Sequence, residues 1–306
     1  MKTKRILKKA GIWAGLFLVG LTLILILTYV YIFWQTEKSG HAVYTSQTID
    51  IEIPEDSASV ARGGHLFTVH ACTDCHTQDL RGKTILEEPM IGRFTAPNLT
   101  RGKGGLPPDF NEQDWLRALK LGINKEGRSL KGMPSTETTK LPDKDLADLI
   151  AYCRSKPPVD NVVEDISIGP LIRVLTAIGK VDLFTAEHID QKITYKEQPA
   201  LAITAEFGAT LAVSCSGCHR ENLQGGPSQI PGQPPVPNIS STGRVANWGE
   251  DQFMQTLRTG VTPEGHKLDN AFMPWERFGD FSDVELKALR TYLLSFPENN
   301  QLTSKD

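Results

Sequence analysis

The sequence carries almost no net charge. Its 33 Lys and Arg residues nearly balance its 36 Asp and Glu residues, which leaves a formal charge of −3. Proteins that bind nucleic acid usually carry a strong basic excess, so no nucleic-acid partner is expected. With 306 residues the chain is long enough for two domains of ordinary size.

Charge is absent altogether from one long apolar run. Residues 11–34 contain no charged side chain, and a run of this length and composition can span a bilayer as a helix. Residues 1–9 hold five basic side chains and no acidic one, which predicts a cytoplasmic N-terminus and translocation of the remainder. A cleaved signal peptide is the alternative, but the run ends in aromatic residues and lacks an A-x-A cleavage site. We therefore expect an uncleaved single-pass anchor in a bacterial cytoplasmic membrane.

Cysteine is also scarce, and four of the five cysteines lie in two C-x-x-C-H motifs at residues 72–76 and 215–219. This motif is typical of covalent haem attachment, in which both thiols form thioethers and the His binds iron. A zinc site of four Cys ligands would leave both histidines unexplained, and a thioredoxin-like motif requires a βαβ pattern that is missing here. Cys153, the fifth cysteine, is expected to be a buried apolar residue. The predicted haem-binding residues are Cys72, Cys75, His76, Cys215, Cys218 and His219.

The segments that follow the two motifs repeat each other. Each contains a P-N-[LI]-[TS] sequence, an acidic-aromatic helical pattern that ends at Gly, a Met-Pro pair, and a helical pattern with a late Tyr nineteen residues after the Met. Such a duplication predicts two domains of one fold. The predicted helices are 60–69, 112–121 and 143–155 in the first copy, and 205–213, 250–259 and 283–295 in the second.

Methionine occurs only five times, and two of the five have equivalent positions in the repeat. Met133 and Met273 each precede a Pro between the second and third predicted helices. A thioether is a soft ligand suited to haem iron, and Met/His ligation raises the reduction potential. Core packing is the alternative, but the equivalent placement favours ligation, whereas Met90 and Met254 are expected to pack. The predicted iron ligands are His76, Met133, His219 and Met273.

These motifs resemble those of the class I cytochrome c family over residues 57–158 and 200–297. More narrowly, the sequence resembles the cytochrome subunits of membrane-bound alcohol and sugar-acid dehydrogenases, which commonly carry three haem motifs where this chain has two. The resemblance implies a helical fold around a haem with His and Met axial ligands. It also implies that Gly64 and Gly208 lie where the first helix crosses the last. In that arrangement they would lie against Tyr152 and Tyr292.

We therefore expect an all-α protein in which an N-terminal transmembrane helix precedes two tandem class I cytochrome c domains. The expected divisions are a basic tip and anchor (1–35), a linker (36–56), domain 1 (57–158), a connector (159–199), domain 2 (200–298) and a tail (299–306).

The expected function is single-electron transfer by two covalently bound haem c groups at the outer face of the membrane. Its donor would be a dehydrogenase or quinol-linked complex, its acceptor a downstream redox protein such as a terminal oxidase, and it would have no small-molecule substrate. A dihaem peroxidase-like enzyme, which needs one open iron, is the alternative. A Met at both equivalent positions argues against that enzyme.

Overall fold

The computed structural model of the chain describes residues 2–228 and 233–296, with side chains from residue 9 onward. Among these residues, one helix is long and apolar enough to cross a membrane. This helix, α1, spans Lys2–His41, and the mean hydropathy of its apolar part reaches 2.5. None of that apolar part is buried against the rest of the protein. The helix continues past residue 35, where the sequence suggested that the anchor ends.

The first domain contains five helices, of which α3 carries the first C-x-x-C-H motif. They are α2 (Ser57–Val69), α3 (Cys72–His76), α4 (Glu112–Leu121), α5 (Ser135–Thr138) and α6 (Asp143–Ser155). Asn111 and Asp114 form a capping box at the start of α4, and Gly122 ends that helix with a left-handed φ of 66°. Helices α4 and α6 therefore have the bounds that the sequence predicts.

A small antiparallel sheet departs from the predicted all-α fold. Strands β1 (Lys83–Glu88), β2 (Gly92–Ala96) and β3 (Ser167–Ile168) pair in that order. Every side chain of β1 is exposed, so the strand has no buried face to produce a period-two apolar pattern. The all-α prediction is thus correct only for the dominant elements.

The connector between the two repeats contains a helix, α7 (Pro170–Ala177), and a short 3₁₀ turn at Thr185–His188. Pro170 occupies the first turn of α7, where its missing N–H costs nothing. Ile172 and Phe184 form a small core, and Phe94 of β2 packs against it. The connector is thereby fixed to the first domain.

Five helices also build the second repeat. They are α8 (Ala205–Leu211), α9 (Val213–His219), α10 (Glu250–Thr259), α11 (Trp275–Phe278) and α12 (Asp283–Ser295). Ser282 and Glu285 form a capping box at the start of α12, so the helix begins where the sequence predicts. The predicted helix 205–213 is divided at Ala212, where α8 gives way to α9.

In each domain the first helix crosses the last at a glycine. A Cβ on Gly208 would lie 2.0 Å from the carbonyl oxygen of Ala288, so the prediction for Gly208 is confirmed. In the first domain the crossing glycine is Gly63, whose Cβ would lie 1.9 Å from the carbonyl oxygen of Asp148. Gly64 lies against Tyr152 as predicted, with its Cβ position 2.9 Å from the ring, but the backbone crossing falls one residue earlier, at Gly63. Two more residues separate Gly63 from its motif than separate Gly208 from its own, which shifts the register of the first copy.

Candidate functional site

The four motif cysteines lie on short helices, so the thiols of each pair, three residues apart, fall on one helix face. All five cysteines are among the described residues and are free thiols. Burial raises the pKa of Cys72 and of Cys215 to about 12, so both thiols are neutral at physiological pH. Within residues 2–228 and 233–296, no cluster of three His, Cys, Asp or Glu side chains could hold a metal ion by itself. The Cys and His side chains of each motif are too few for a structural zinc site. They fit a prosthetic group better, because such a group brings further metal ligands of its own.

Each motif histidine is buried and oriented by one hydrogen bond. His76 is 8 % exposed and His219 is 4 % exposed. The Nδ1 of His76 lies 3.4 Å from the carbonyl oxygen of Pro97, and that of His219 lies 2.8 Å from the carbonyl oxygen of Pro237. Since a carbonyl can only accept, Nδ1 carries the proton and Nε2 keeps a free lone pair. This is the tautomer that binds iron through Nε2.

The pKa of both histidines favours the same neutral form. Burial lowers the pKa of His76 and of His219, although the hydrogen bond to each proline carbonyl acts in the opposite direction. A neutral imidazole is the form that ligates a metal. Burial and orientation therefore both favour a neutral imidazole with a free Nε2, the form that can ligate a metal.

The P-N-[LI]-[TS] segment holds the proline carbonyl in place. The side-chain oxygen of Asn98 accepts from the amide of Thr100 at 2.9 Å, and that of Asn238 accepts from the amide of Ser240 at 2.8 Å. Such turns fix the local backbone without regular secondary structure. The repeat drew attention to this segment in the sequence, but its task of orienting the histidine is visible only in the structure.

The backbone after each histidine adopts the same strained path in both copies. Thr77 and Arg220, one residue after the histidines, have φ of 63° and 67°, and Leu80 and Leu223, four residues after, have φ of 62° and 57°. A left-handed conformation at a residue other than Gly costs on the order of 1 kcal/mol or more and commonly marks a functional site. No residue type at these positions signals this conformation in the sequence.

The two candidate methionine ligands lie in equivalent loops. Met133 and Met273 are half-buried, and each precedes a short helix, α5 or α11. The carbonyl oxygen of each accepts from the amide two residues later, at 2.8 Å and 2.6 Å respectively. Met254 packs against the second core as expected, whereas Met90 is 57 % exposed, so its predicted packing role is wrong.

Both C-x-x-C-H motifs lie at the domain interface, each against a short helix of the other domain. Arg277 of α11 donates to the hydroxyl of Thr73 at 2.6 Å and forms an ion pair with Asp74, both inside the first motif. Glu137 of α5 lies against Gly217 of the second motif, where a Cβ would be 2.3 Å from its Oε1. Glu137 and Arg277 each lie four residues after the candidate methionine ligand. Each domain thus covers the other's motif with the same element, in an approximately two-fold arrangement.

Further contacts hold this interface together. The Nδ1 of His70 lies 2.5 Å from the Ser214 hydroxyl, and the Nε2 of His65 lies 3.0 Å from the Glu285 carboxylate. Val69 of the first domain is buried in the second core, and Val213 of the second domain is buried in the first. Nothing in the sequence pattern indicated this exchange.

The family comparison agrees with the geometry. The family model described as cytochrome c matches residues 60–156 and 205–297, one segment for each motif, and together more than half of the chain. Comparison with curated proteins gave no match. Cytochrome c domains carry covalently attached haem and transfer electrons. The chain belongs to the cytochrome c family and contains two of its domains.

Proposed function

We propose that this protein is a dihaem electron carrier anchored at the outer face of a bacterial cytoplasmic membrane. The observation that carries the proposal is the repeated constellation: two free thiols, a buried His whose Nδ1 proton is directed to a proline carbonyl, and a Met at the same position of each domain. When bound, the haem iron supplies one-electron redox chemistry.

The residues of this chain have separate roles in that function. In the first domain, Cys72 and Cys75 would hold the haem through thioethers, and His76 and Met133 would be the protein ligands of its iron. In the second domain the same roles would fall to Cys215, Cys218, His219 and Met273. With two protein ligands for each iron, no coordination position would remain for a substrate. The surrounding burial excludes water and tunes the potential.

The domain interface supports direct electron transfer from one haem to the other. Arg277 of the second domain contacts the first motif and Glu137 of the first domain lies against the second motif, so both attachment helices lie at the domain interface. An electron could enter through one domain and leave through the other. The partners would be redox proteins: a membrane dehydrogenase or quinol-linked complex as donor, and a terminal oxidase or another carrier as acceptor.

Reactivity toward small ligands tests the proposal against a peroxidase-like enzyme. The full-length protein is matured in a host that attaches haem c, purified in detergent and titrated with a reductant. We expect uptake of two electrons per chain, no spectral change when carbon monoxide is added to the reduced protein, and no turnover of hydrogen peroxide. Carbon monoxide binding at one haem, together with peroxide turnover, would instead identify a dihaem enzyme.

A further inference from the structure

The connector helix α7 packs directly on the anchor helix. The guanidinium of Arg173 lies 4.2 Å from the centre of the Phe33 ring and donates to the Glu37 carboxylate at 2.7 Å. Arg173 is only 8 % exposed, so this contact is an enclosed one. Phe184, whose ring packs with the connector, lies 3.4 Å from the position of a Cβ on Gly40. The connector therefore has a fixed place beside the outer end of α1.

The sequence of α1 sets the height of this contact relative to the bilayer. The charge-free run ends at Trp34, and Glu37 is the first acidic residue of the chain. If α1 spans the membrane, Phe33 and Trp34 lie at the outer edge of the hydrocarbon, where aromatic residues are enriched. Because Arg173 contacts both Phe33 and Glu37, α7 must lie at the level of the lipid headgroups.

One face of α7 leaves apolar side chains uncovered. Leu171 is 40 % exposed, Ile178 is 59 % exposed and Val174 is half-buried. Positions i, i+3 and i+7 share one helix face, so these three side chains form a single stripe, while Ile172 packs inward. A helix surrounded by water would carry polar residues on this face.

The stripe continues onto the turn between β1 and β2, which contains Met90. The amide of Leu171 donates to the carbonyl oxygen of Met90 at 2.9 Å, and the Met90 side chain is 57 % exposed. Lys180 follows the stripe and is exposed, in a position suited to a lipid phosphate. We call Met90, Leu171, Val174 and Ile178 the connector patch.

We propose that the connector patch rests in the outer leaflet of the membrane that α1 crosses. Continuity with the anchor selects lipid as its occupant, because α7 packs on α1 at Phe33, and Phe33 and Trp34, 45 % and 59 % exposed, would themselves contact lipid. A short amphipathic helix lying in the interface is a known mode of membrane attachment. The first domain is then fixed against the bilayer at a second point, which sets its orientation toward membrane-bound partners. This inference rests on the membrane anchoring proposed above.

Nitroxide depth measurements on the full-length, haem-loaded protein in phosphatidylcholine–phosphatidylglycerol nanodiscs test the proposal. In the haem-loaded protein the motif cysteines would be bound in thioethers, and Cys153 is buried. Leu171→Cys or Ile178→Cys therefore provides a single thiol that can be labelled. Val261→Cys is the matched control, since Val261 is 41 % exposed in the second domain. Val30→Cys, within the apolar run, reports whether α1 itself is in lipid.

We expect labels at positions 171 and 178 to collide with oxygen readily and with an aqueous nickel complex several-fold less often than the label at 261. If position 30 is shielded by lipid while 171 and 178 behave like 261, the connector patch faces water and this inference is wrong, although the anchor stands. If position 30 is also exposed to the nickel complex, the membrane anchoring fails as well. The haem spectrum of each variant, unchanged from the parent, verifies the fold.

Discussion

At the scale of single residues, the proposed iron ligands fall into two groups that the structure supports differently. The histidines are held by hydrogen bonds to Pro97 and Pro237 that leave Nε2 free. The assignment of Met133 and Met273 rests on their equivalent half-buried positions and on the soft character of their sulfur. The methionine assignments therefore need the more direct test.

Replacement of either methionine should remove one axial ligand. We expect Met273→Ala to lose about half of the sulfur-to-iron charge-transfer band of the oxidised protein and to lower the potential of one haem, since Met/His ligation raises it. Met133→Ala should do the same for the other haem. Optical spectra and redox titrations measure both effects.

Met254→Ala is the matched control, because Met254 packs against the second core without being a predicted ligand. The sulfur-to-iron charge-transfer band of this variant should have the same intensity as that of the parent protein. A Met273→Ala spectrum identical to that of the parent would refute the ligand assignment.

The two equivalent interface positions hold Glu137 and Arg277, and burial raises the pKa of Glu137 to about 7. Above that pH the two positions carry opposite charges, which predicts unequal haem potentials. Burial, and next to it the charge of Glu137, raises the pKa of Cys215 and of Cys218, so this carboxylate acts at the second attachment site. Arg277 is paired with Asp74 at the first. An anion favours the oxidised iron and a cation disfavours it.

We expect Glu137→Gln to raise the midpoint potential of the second haem, and Arg277→Gln to lower that of the first. Each shift should be of the order of tens of millivolts, the size that one unit charge produces at an effective dielectric constant of about 20. Potentiometric titration of each variant well above pH 7, where Glu137 is charged, gives the answer. Glu276→Gln, at an exposed neighbouring position, should change neither potential, and unchanged midpoints in all three variants would exclude this electrostatic account.

At the scale of secondary structure elements, the close crossings of α2 with α6 and of α8 with α12 hold each domain together. We expect Gly208→Ala to destabilise the second domain by at least about 1–3 kcal/mol, because its Cβ would lie 2.0 Å from a backbone oxygen. Thermal unfolding followed by haem absorbance measures the loss. Gly249→Ala, whose Cβ would meet nothing closer than 3.6 Å, should cost less, at most about 1 kcal/mol, because Ala is only a poorer N-cap than Gly for α10. Equal melting temperatures for the two variants would contradict the crossing geometry.

The contact between α2 and α12 should depend on acid. Burial alone would raise the pKa of Glu285, but hydrogen bonds from His65 and Ser282 outweigh it and lower that pKa. A carboxyl with a lowered folded-state pKa stabilises the protein above its unfolded pKa of about 4.3, and this stability is lost as pH falls through the folded value.

We therefore expect the melting temperature to fall as pH is lowered from about 5 to 3, and Glu285→Gln, which keeps the capping pattern, to reduce that fall. Asp251→Asn, at an exposed site on α10, should leave the acid profile as in the parent. A parent profile that Glu285→Gln does not alter would show that this pair has no part in acid stability.

Elements with local signals were predictable from the sequence, and elements formed by distant pairing were not. Helices 112–121, 250–259 and 283–295 have the predicted bounds because capping residues such as Gly122 and Ser282 lie beside them. Helix 143–155 lies between Pro142 and Pro157 instead. Strand β3 pairs with a strand more than seventy residues earlier in the chain, and no local pattern reveals this. The left-handed Leu80 and the Arg277–Asp74 contact escaped prediction because neither residue type nor spacing encodes them.

At the scale of the whole molecule, duplication and contact together shape the proposed function. The repeat supplies two cytochrome c domains, and the exchange of Val69 and Val213 between the two cores joins them into one unit. The duplication could be read from the sequence, but the contact of each motif with the other domain could not, because Arg277 and Thr73 lie about 200 positions apart. We expect this unit to present two neighbouring haems at the membrane surface.

Haem content and the oxidised spectrum of the full-length protein test the central claim most directly. A pyridine haemochrome assay on the purified membrane fraction counts covalent haem, and the oxidised spectrum reports its ligands. We predict two haem c groups per chain, both low-spin, with a sulfur-to-iron charge-transfer band of the intensity expected for two methionine ligands. A single haem per chain, or one high-spin haem without that band, would contradict the account.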